Sequence, residues 1–306
     1  MTFPYSEGNK RYHSWNYALR NEFGGKIFKV PIDGGFDCPN RDGTVAHGGC
    51  SVSGSGDMIV APEDPLPIQF QKEIDMMHQK WPHVQQYIVY FQNFTNTHAP
   101  VEIIKERFEQ VVNLPGVVGL SVGTRPDCLP DEVVDYLAEL NERMYLWVEL
   151  GLQTTFEETS KLINRAHDYQ TYLDGVAKLR KHNIRVCTHL INGLPGESLE
   201  MMKENVRRTI LDSDIQGIKL HLMHLMRKTR MLRDYHEGRL QLMSRPDYVN
   251  VICDQLEMIP KEIIIHRLTG DAPWDSLIGP MWSLKKWEVL NAIDEELLRR
   301  DSFQGK

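Results

Sequence analysis

Short apolar, β-prone runs alternate with helix-period segments along most of this 306-residue chain. That alternation constrains the fold more than any single motif. The runs are Ile27–Ile32, Tyr87–Phe91, Val117–Val122, Tyr145–Leu150, Ile184–Ile191, Ile215–Leu222 and the shorter Ile263–Leu268. Between them Val101, Ile104, Phe108 and Val111 recur at helical spacing, as do Val133, Leu137, Leu140 and Met144. Pro100 fits the first turn of one helix, and Pro130-Asp131-Glu132 opens the next with acid at the positive end of its dipole. Continuous apolar strands separated by helices imply a parallel sheet with right-handed crossovers.

No glycine-rich dinucleotide fingerprint interrupts the pattern, so a full or partial (β/α) barrel is favoured over a doubly wound sheet. After about residue 240 the alternation fades into a helix (Pro246–Met258), a short strand and a tail carrying Trp274, Trp282 and Trp287. The expected organisation is an N-terminal segment (1–25), an α/β barrel (26–240) and a C-terminal extension packed on the barrel (241–306). Tryptophans in such a tail usually fill a core, although they also stack on nucleobases.

The bulk properties narrow the partners. No apolar run reaches the ~18 residues that span a bilayer, and the first residues lack a basic, then apolar, secretion signal. The five scattered cysteines do not form a disulfide framework. A cytoplasmic, reduced location without membrane contact is expected. A net charge of −7 disfavours a wholly basic nucleic-acid clamp. A local patch is left at Arg227-Lys-Thr-Arg-Met-Leu-Arg233, with Arg299, Arg300 and Lys306 further on; a solvated surface face is the plainer reading.

The chemistry-bearing residues follow the strand ends, where parallel barrels build their sites. Cys38 and Cys50 lie in a glycine-rich loop after the first run. Soft thiolates there suit an iron–sulfur cluster or zinc, but two are too few for either. Gln92-Asn93-Phe94-Thr95 follows the second run and Thr124-Arg125-Pro126-Asp127 the third. Gly151-Leu152-Gln153 ends the fourth, with Asn164-Arg165-Ala166-His167 beyond it. His189 and the Asn192–Gly196 turn end the fifth, and His221 and His224 the sixth.

In this order the Cys38 loop, Tyr90-Phe-Gln-Asn-Phe-Thr95, Thr124-Arg-Pro-Asp127, Gly151-Leu-Gln-Thr154 with Asn164-Arg-Ala-His167, and Asn192-Gly-Leu-Pro-Gly196 resemble the radical S-adenosylmethionine (SAM) superfamily. More narrowly they resemble its bacterial YtqA/YhcC (MnmL-like) group. The likeness extends over Phe91–Pro100, Leu140–Gln153, His221–His224, His266–Asp271 and Ile278–Asn291. It implies a partial (β/α)6 TIM-like barrel with a [4Fe-4S] cluster and SAM at its mouth, and a reductant such as flavodoxin or ferredoxin. Carried over by position, Gln92, Asn93 and Thr95 would meet the SAM amino group and Arg165 its carboxylate. Gln153 and His189 would lie near the ribose, and the Gly193–Gly196 turn would shape the adenine pocket. For the YtqA-like group the implied substrate is tRNA: the wobble 5-carboxymethylaminomethyl-2-thiouridine loses its carboxymethyl part. Arg125 or Arg267 would hold the substrate carboxylate.

One departure stands out. The family loop reads Cys, eleven residues, Cys, two residues, Cys, then a small-residue run. Here Cys38 and Cys50 enclose eleven residues, and Ser51-Val-Ser-Gly-Ser-Gly-Asp57 follows at once. Aligned on Gly54-Ser-Gly-Asp57, the loop is three residues short, and the missing piece would hold the third cysteine. This is a deletion, not an exchange at Ser53; an omission from the written sequence, a deliberate deletion and a natural one all produce it. Cys128, near the barrel mouth, is the candidate stand-in, whereas Cys187 and Cys253 read as small buried apolar residues. His47 with Cys38 and Cys50 lacks a spaced fourth ligand for structural zinc.

His221 and His224, if both on a strand, would point to opposite faces, leaving His221 as an acid–base candidate. His266–Asp271 suits either substrate binding or an ion pair within the extension, and His98 with Pro100 simply starts a helix. The leading reading is a radical SAM enzyme modifying tRNA. The rivals are a cluster-deficient barrel that binds SAM or RNA without turnover, and a radical SAM enzyme acting on a small metabolite.

Overall fold

A computed structural model describes the chain except residues 1, 2, 6–8, 53–58, 60, 228 and 230. Ser53 and the Gly54–Asp57 run that anchors the loop comparison, together with Lys228 and Arg230 of the basic patch, therefore lie outside the described residues. Seven parallel strands form one sheet: β1 (Phe28–Ile32), β2 (Tyr87–Phe91), β3 (Val117–Thr124), β4 (Tyr145–Gln153), β5 (Arg185–Asn192), β6 (Gly217–Leu222) and β8 (Ile264–Arg267). The spatial order equals the chain order, the signature of an open barrel wound in one direction. A short antiparallel pair, β7 (Leu225–Met226) with β9 (Leu277–Gly279), sits apart from it. The last barrel strand comes from the stretch expected to be extension: β8 pairs with β6 through Gly217–Ile264 and Ile218–Ile265.

The strands alternate between two environments. One set, including Val30, Ile32, Val89, Phe91, Leu120, Val148, Val186 and Leu220, is buried under the outer helices. Those helices include α2 (Leu66–His78), α3 (Val101–Val112), α4 (Asp131–Arg143), α6 (Tyr169–Arg180) and α7 (Leu199–Asp212). The other set faces the barrel interior. Its lower end is closed by α1 (Trp15–Phe23), which packs Leu19 and Trp15 against Ile27, Ile88, Val118 and Tyr145. The Trp15 ring stacks on His266 with centroids 4.0 Å apart, and Trp147 meets the same imidazole edge-on at 4.4 Å. Gly217 is required here: a Cβ on it would lie 2.6 Å from His266 and 2.8 Å from Trp147. His266 therefore belongs to the plug of the barrel and is remote in role from substrate binding.

Beyond the barrel, α9 (Arg245–Met258) and α10 (Lys286–Arg299) pack together over the β6–β8 side. Arg300 is spent on Asp254, Glu257 and Glu296, and Arg299 on Glu296, so these cations serve the extension. The expectation that the tail tryptophans fill a core holds for Trp282, whose Nε1 donates to the Met243 carbonyl at 3.0 Å. It fails for the other two. Trp274 is 77% exposed and Trp287 72%, although Leu277 and Ser283 between them are buried. No helix among the described residues is long and apolar enough to cross a membrane.

Candidate active site

The C-terminal ends of the strands open into one cavity of about 580 Å³. Cys38, Cys50, Gln92, Asn93, Thr95 and Arg125 line it, as do Gln153, Arg165, His189, His221 and Arg267. Residues separated by up to 229 positions thus share one wall, as the strand-end reading requires. The cavity also holds groups that the sequence did not flag, among them Glu149 and Lys219, beside Tyr90.

The cysteine loop is held rigidly against the segment after β4. Asn40, fully buried, donates its side-chain amide to the Asn164 carbonyl. Asn164 in turn donates Nδ2 to the carbonyls of Gly49 (2.9 Å) and His47 (3.1 Å), and Ser51 N–H donates to Ile163 O at 2.8 Å. Asn164 adopts φ +54°, a conformation its short amide tolerates well. His98, read as a simple helix start, also ties down this loop through Asp42, 2.7 Å away. Asn164→Ala removes both loop bonds and strains the backbone, so alkylation of Cys50 by iodoacetamide should accelerate on the order of tenfold. An unchanged rate would show that the staple does not protect the loop.

The two candidate guanidiniums differ. Arg125 is fully engaged: Nε and Nη2 donate to Asp127 at 2.9 and 2.6 Å, and Nη1 to the Arg165 carbonyl at 2.7 Å. Bidentate pairing with its own neighbour offsets the charge that was expected to meet a substrate carboxylate. Arg165 donates Nε to His167 O (2.9 Å) and Nη1 to Leu152 O (2.7 Å) and Thr154 O. Its Nη2 is buried without a hydrogen bond, 3.7 Å from Glu157. Across the cavity Asn93 donates Nδ2 to Asp33 at 2.7 Å, while its Oδ1 is a buried acceptor without a partner. Gln153, at φ +62°, directs its amide nitrogen to the carbonyls of Gly151 and Leu152 once the amide is oriented by its surroundings.

The Gly193–Gly196 turn does not line the cavity; Leu194 packs behind it with Ile163, Met223 and Leu225, against which Cys50 rests. The alternation expected for His221 and His224 does not apply, because β6 ends at Leu222. Both imidazoles line the cavity, and both Nε2 atoms are buried without a partner. Burial pushes both toward the neutral form, His224 to about 4.

Beneath these groups lies a charged layer. Glu149, fully enclosed, accepts at Oε1 from Lys29 and from Ser121 (2.7 Å), and at Oε2 from Lys219 and from His189 (2.8 Å). Burial opposes its ionisation, but Lys219, Lys29 and His189 outweigh that and hold the carboxyl well below its ordinary range. His189 is pushed down to about 4, by burial first and by Lys219 second, and so donates as a neutral imidazole.

The residues present fit the two expected groups unequally. An acceptor on Asn93 and a donor on Arg165, neither of them hydrogen-bonded, suit the ammonium and carboxylate ends of an amino acid such as SAM. The cluster is another matter. Cys128 lies outside the cavity lining, its thiol pushed up to about 12 by burial and by Asp127. Cys187 and Cys253 are buried in the core. Among the described residues no three His, Cys, Asp or Glu side chains are grouped to hold a metal ion. Two loop cysteines do not make a three-cysteine cluster site.

Comparison with known proteins agrees with this architecture. The model of the Radical SAM superfamily matches residues 48–209, and that of the Radical_SAM C-terminal domain matches residues 215–299. The uncharacterized protein YtqA of Bacillus subtilis (strain 168) is 61% identical over 307 residues, 99% of this chain and 95% of that protein. A tRNA uridine(34) acetyltransferase of Methanocaldococcus infernus is 25% identical over 158 residues, 51% of this chain but 29% of that protein. In fold, the archaeal Methanocaldococcus infernus Elp3 with an N-terminal deletion superimposes at a TM-score of 0.68 and 16% identity, over 91% of this chain and 64% of that one. On its parallel barrel, its strand-end cavity and these matches, the chain belongs to the radical SAM superfamily, within the group that contains YtqA and YhcC.

Proposed function

We propose that this barrel serves a radical SAM reaction on the wobble uridine of tRNA, removing the carboxymethyl part of 5-carboxymethylaminomethyl-2-thiouridine to leave the 5-aminomethyl group. The observation that carries the SAM part is the pair of polar atoms without hydrogen bonds, Asn93 Oδ1 and Arg165 Nη2, on residues that line one strand-end cavity. Gln92 and Thr95 flank Asn93, and Gln153 and His189 stand on the β4–β5 side where the ribose would lie. When bound with its cluster, SAM supplies the 5′-deoxyadenosyl radical that abstracts a substrate hydrogen atom. With one cluster cysteine missing, no step of that cleavage is assigned to this chain's residues.

Support for tRNA comes from the relative named for tRNA uridine(34) and from the rim of the cavity. Pro273 lines the mouth and Trp274 follows it; Lys286, which precedes Trp287, bonds Asp271 of the cavity wall at 2.8 Å. Two exposed indoles therefore neighbour residues of the cavity rim in sequence, and every nucleobase offers a face on which to stack. Titration with an anticodon stem-loop should quench tryptophan fluorescence, and Trp274→Ala and Trp287→Ala should each weaken binding, by roughly fivefold or more. SAM binding without any RNA binding would sink the tRNA reading and favour a small metabolite. The shortened cysteine loop specifically favours a second reading for this polypeptide, a barrel that binds SAM or RNA without turnover.

A further inference from the structure

The floor of the cavity carries more positive than negative charge. Lys29 and Lys219 both approach Glu149, and among the described residues it is the one carboxylate within ion-pair distance of either. The Lys29 and Lys219 ammoniums lie 4.0 and 4.7 Å from the Tyr90 ring centroid, and Lys219 also donates to the Tyr90 hydroxyl at 3.3 Å. The remaining titratable groups of the layer do not add negative charge. His189, His221 and His266 are held neutral by burial, and so is the Cys187 thiol. Two ammoniums against one carboxylate leave about one positive charge at a largely buried site. Such an imbalance is costly unless an anion completes it.

Lys219 is 4% exposed, yet it lines the cavity, and so does His221, two residues further along β6. Residues two apart on a strand share a face. His221 Nε2 is buried without a hydrogen bond, a second polar atom on a residue that lines the same cavity. Arg267, paired with Lys219 in the sheet register and 3.7 Å from Asp271, closes the third side.

We propose that Lys219, with the neutral imidazole of His221 beside it, forms an anion subsite at the cavity floor that receives a terminal carboxylate of the substrate. This rests on reading the cavity as the substrate pocket of a radical SAM barrel. Arg125, the other candidate, is already neutralised by Asp127. Anionic oxygens come from carboxylates and phosphates alike, but the two differ in reach. A backbone phosphodiester has chain on both sides and cannot be threaded to a floor closed by Trp15 and His266. A carboxylate at the end of a small substituent can.

The test uses the chain as it stands and needs no bound cluster. Thermal unfolding is followed at constant ionic strength with sodium acetate, acetamide or inorganic phosphate. Acetate should raise the midpoint of the parent protein, acetamide should not, and phosphate should do so less. Lys219→Met should abolish the acetate effect and Lys219→Arg, which keeps the charge, should retain it. An equal acetate effect in Lys219→Met and the parent, no effect in the parent, or a response to phosphate alone would overturn the proposal.

Stem-loops carrying 5-carboxymethylaminomethyluridine or 5-aminomethyluridine separate this inference from the tRNA reading. The parent should favour the carboxymethyl form about tenfold or more, and Lys219→Met should lose the preference while still binding the aminomethyl form. RNA binding with equal affinity for both forms would sink the subsite and leave the tRNA reading. An acetate effect without RNA binding would do the reverse.

Discussion

Glu149→Gln is expected to lower the free energy of unfolding by about 3–5 kcal/mol, the scale for removing one partner of a buried ion pair. The side chain has no exposure, and both oxygens are each shared by two donors. Glutamine keeps the shape but deletes the charge and turns an N–H₂ toward Lys29 or Lys219. Two ammoniums would then face each other across Tyr90 with nothing to offset them. The double variant Lys29→Met, Glu149→Gln should recover part of the loss, because it leaves one buried ammonium, the net charge of the parent layer, in place of the two left by Glu149→Gln alone. Urea unfolding of the parent, the single and the double variant measures this directly. A single variant within about 1 kcal/mol of the parent would mean that water reaches the layer and the ion pairs are ordinary surface ones.

That charged layer was written in the sequence in a form that invited oversight. Phe28-Lys29-Val30, Val148-Glu149-Leu150 and Ile218-Lys219-Leu220 each place one charge between two apolar residues in a strand. In a strand such a charge points opposite to its neighbours, so the three of them face the barrel interior once the outer face is assigned to the helices. Only the topology says that strands one, four and six bring their charges together. The strands themselves were legible to within three residues at their ends, the fourth running on from Leu150 to Gln153, because apolar runs between turns have few ways to pack. Many of the cavity-lining residues were legible for the same reason, because they lie at or beyond a strand end; Glu149 and Lys219, inside their strands, were not.

What escaped the sequence was how each polar side chain is used. Asn164 and Arg125 were placed correctly beside the cavity, yet they spend their donors on the cysteine loop and on Asp127. Nothing in a one-dimensional pattern separates a residue that binds a ligand from one that positions the loop that does. The exposure of Trp274 and Trp287 was missed because the preference of indoles for cores is a statistical one, and residues of one short segment can be buried or exposed in turn.

The other large effect concerns the cysteine loop. Inserting the three absent residues, so that Cys50 begins a Cys-x-x-Cys, should convert a chain that cannot hold a full cluster into one that binds about four irons. The staple from Asn164 to Gly49 and from Ile163 to Ser51 already fixes the base of the loop on the cavity wall. Restored residues would therefore be added to a preformed anchor, with Cys38 and Cys50 in place. SAM cleavage should appear with the insertion and disappear again when Cys38 is replaced by alanine.

Iron content and the EPR spectrum after anaerobic reconstitution and dithionite reduction test the central claim most directly, on the chain as it stands and on the chain with the Cys-x-x-Cys restored. The expected result is little iron and no SAM-sensitive signal in the first, against about four irons per chain and a signal that shifts on adding SAM in the second. Equal iron and the same SAM-responsive spectrum in both would contradict it, and would mean that a group other than the missing cysteine completes the site.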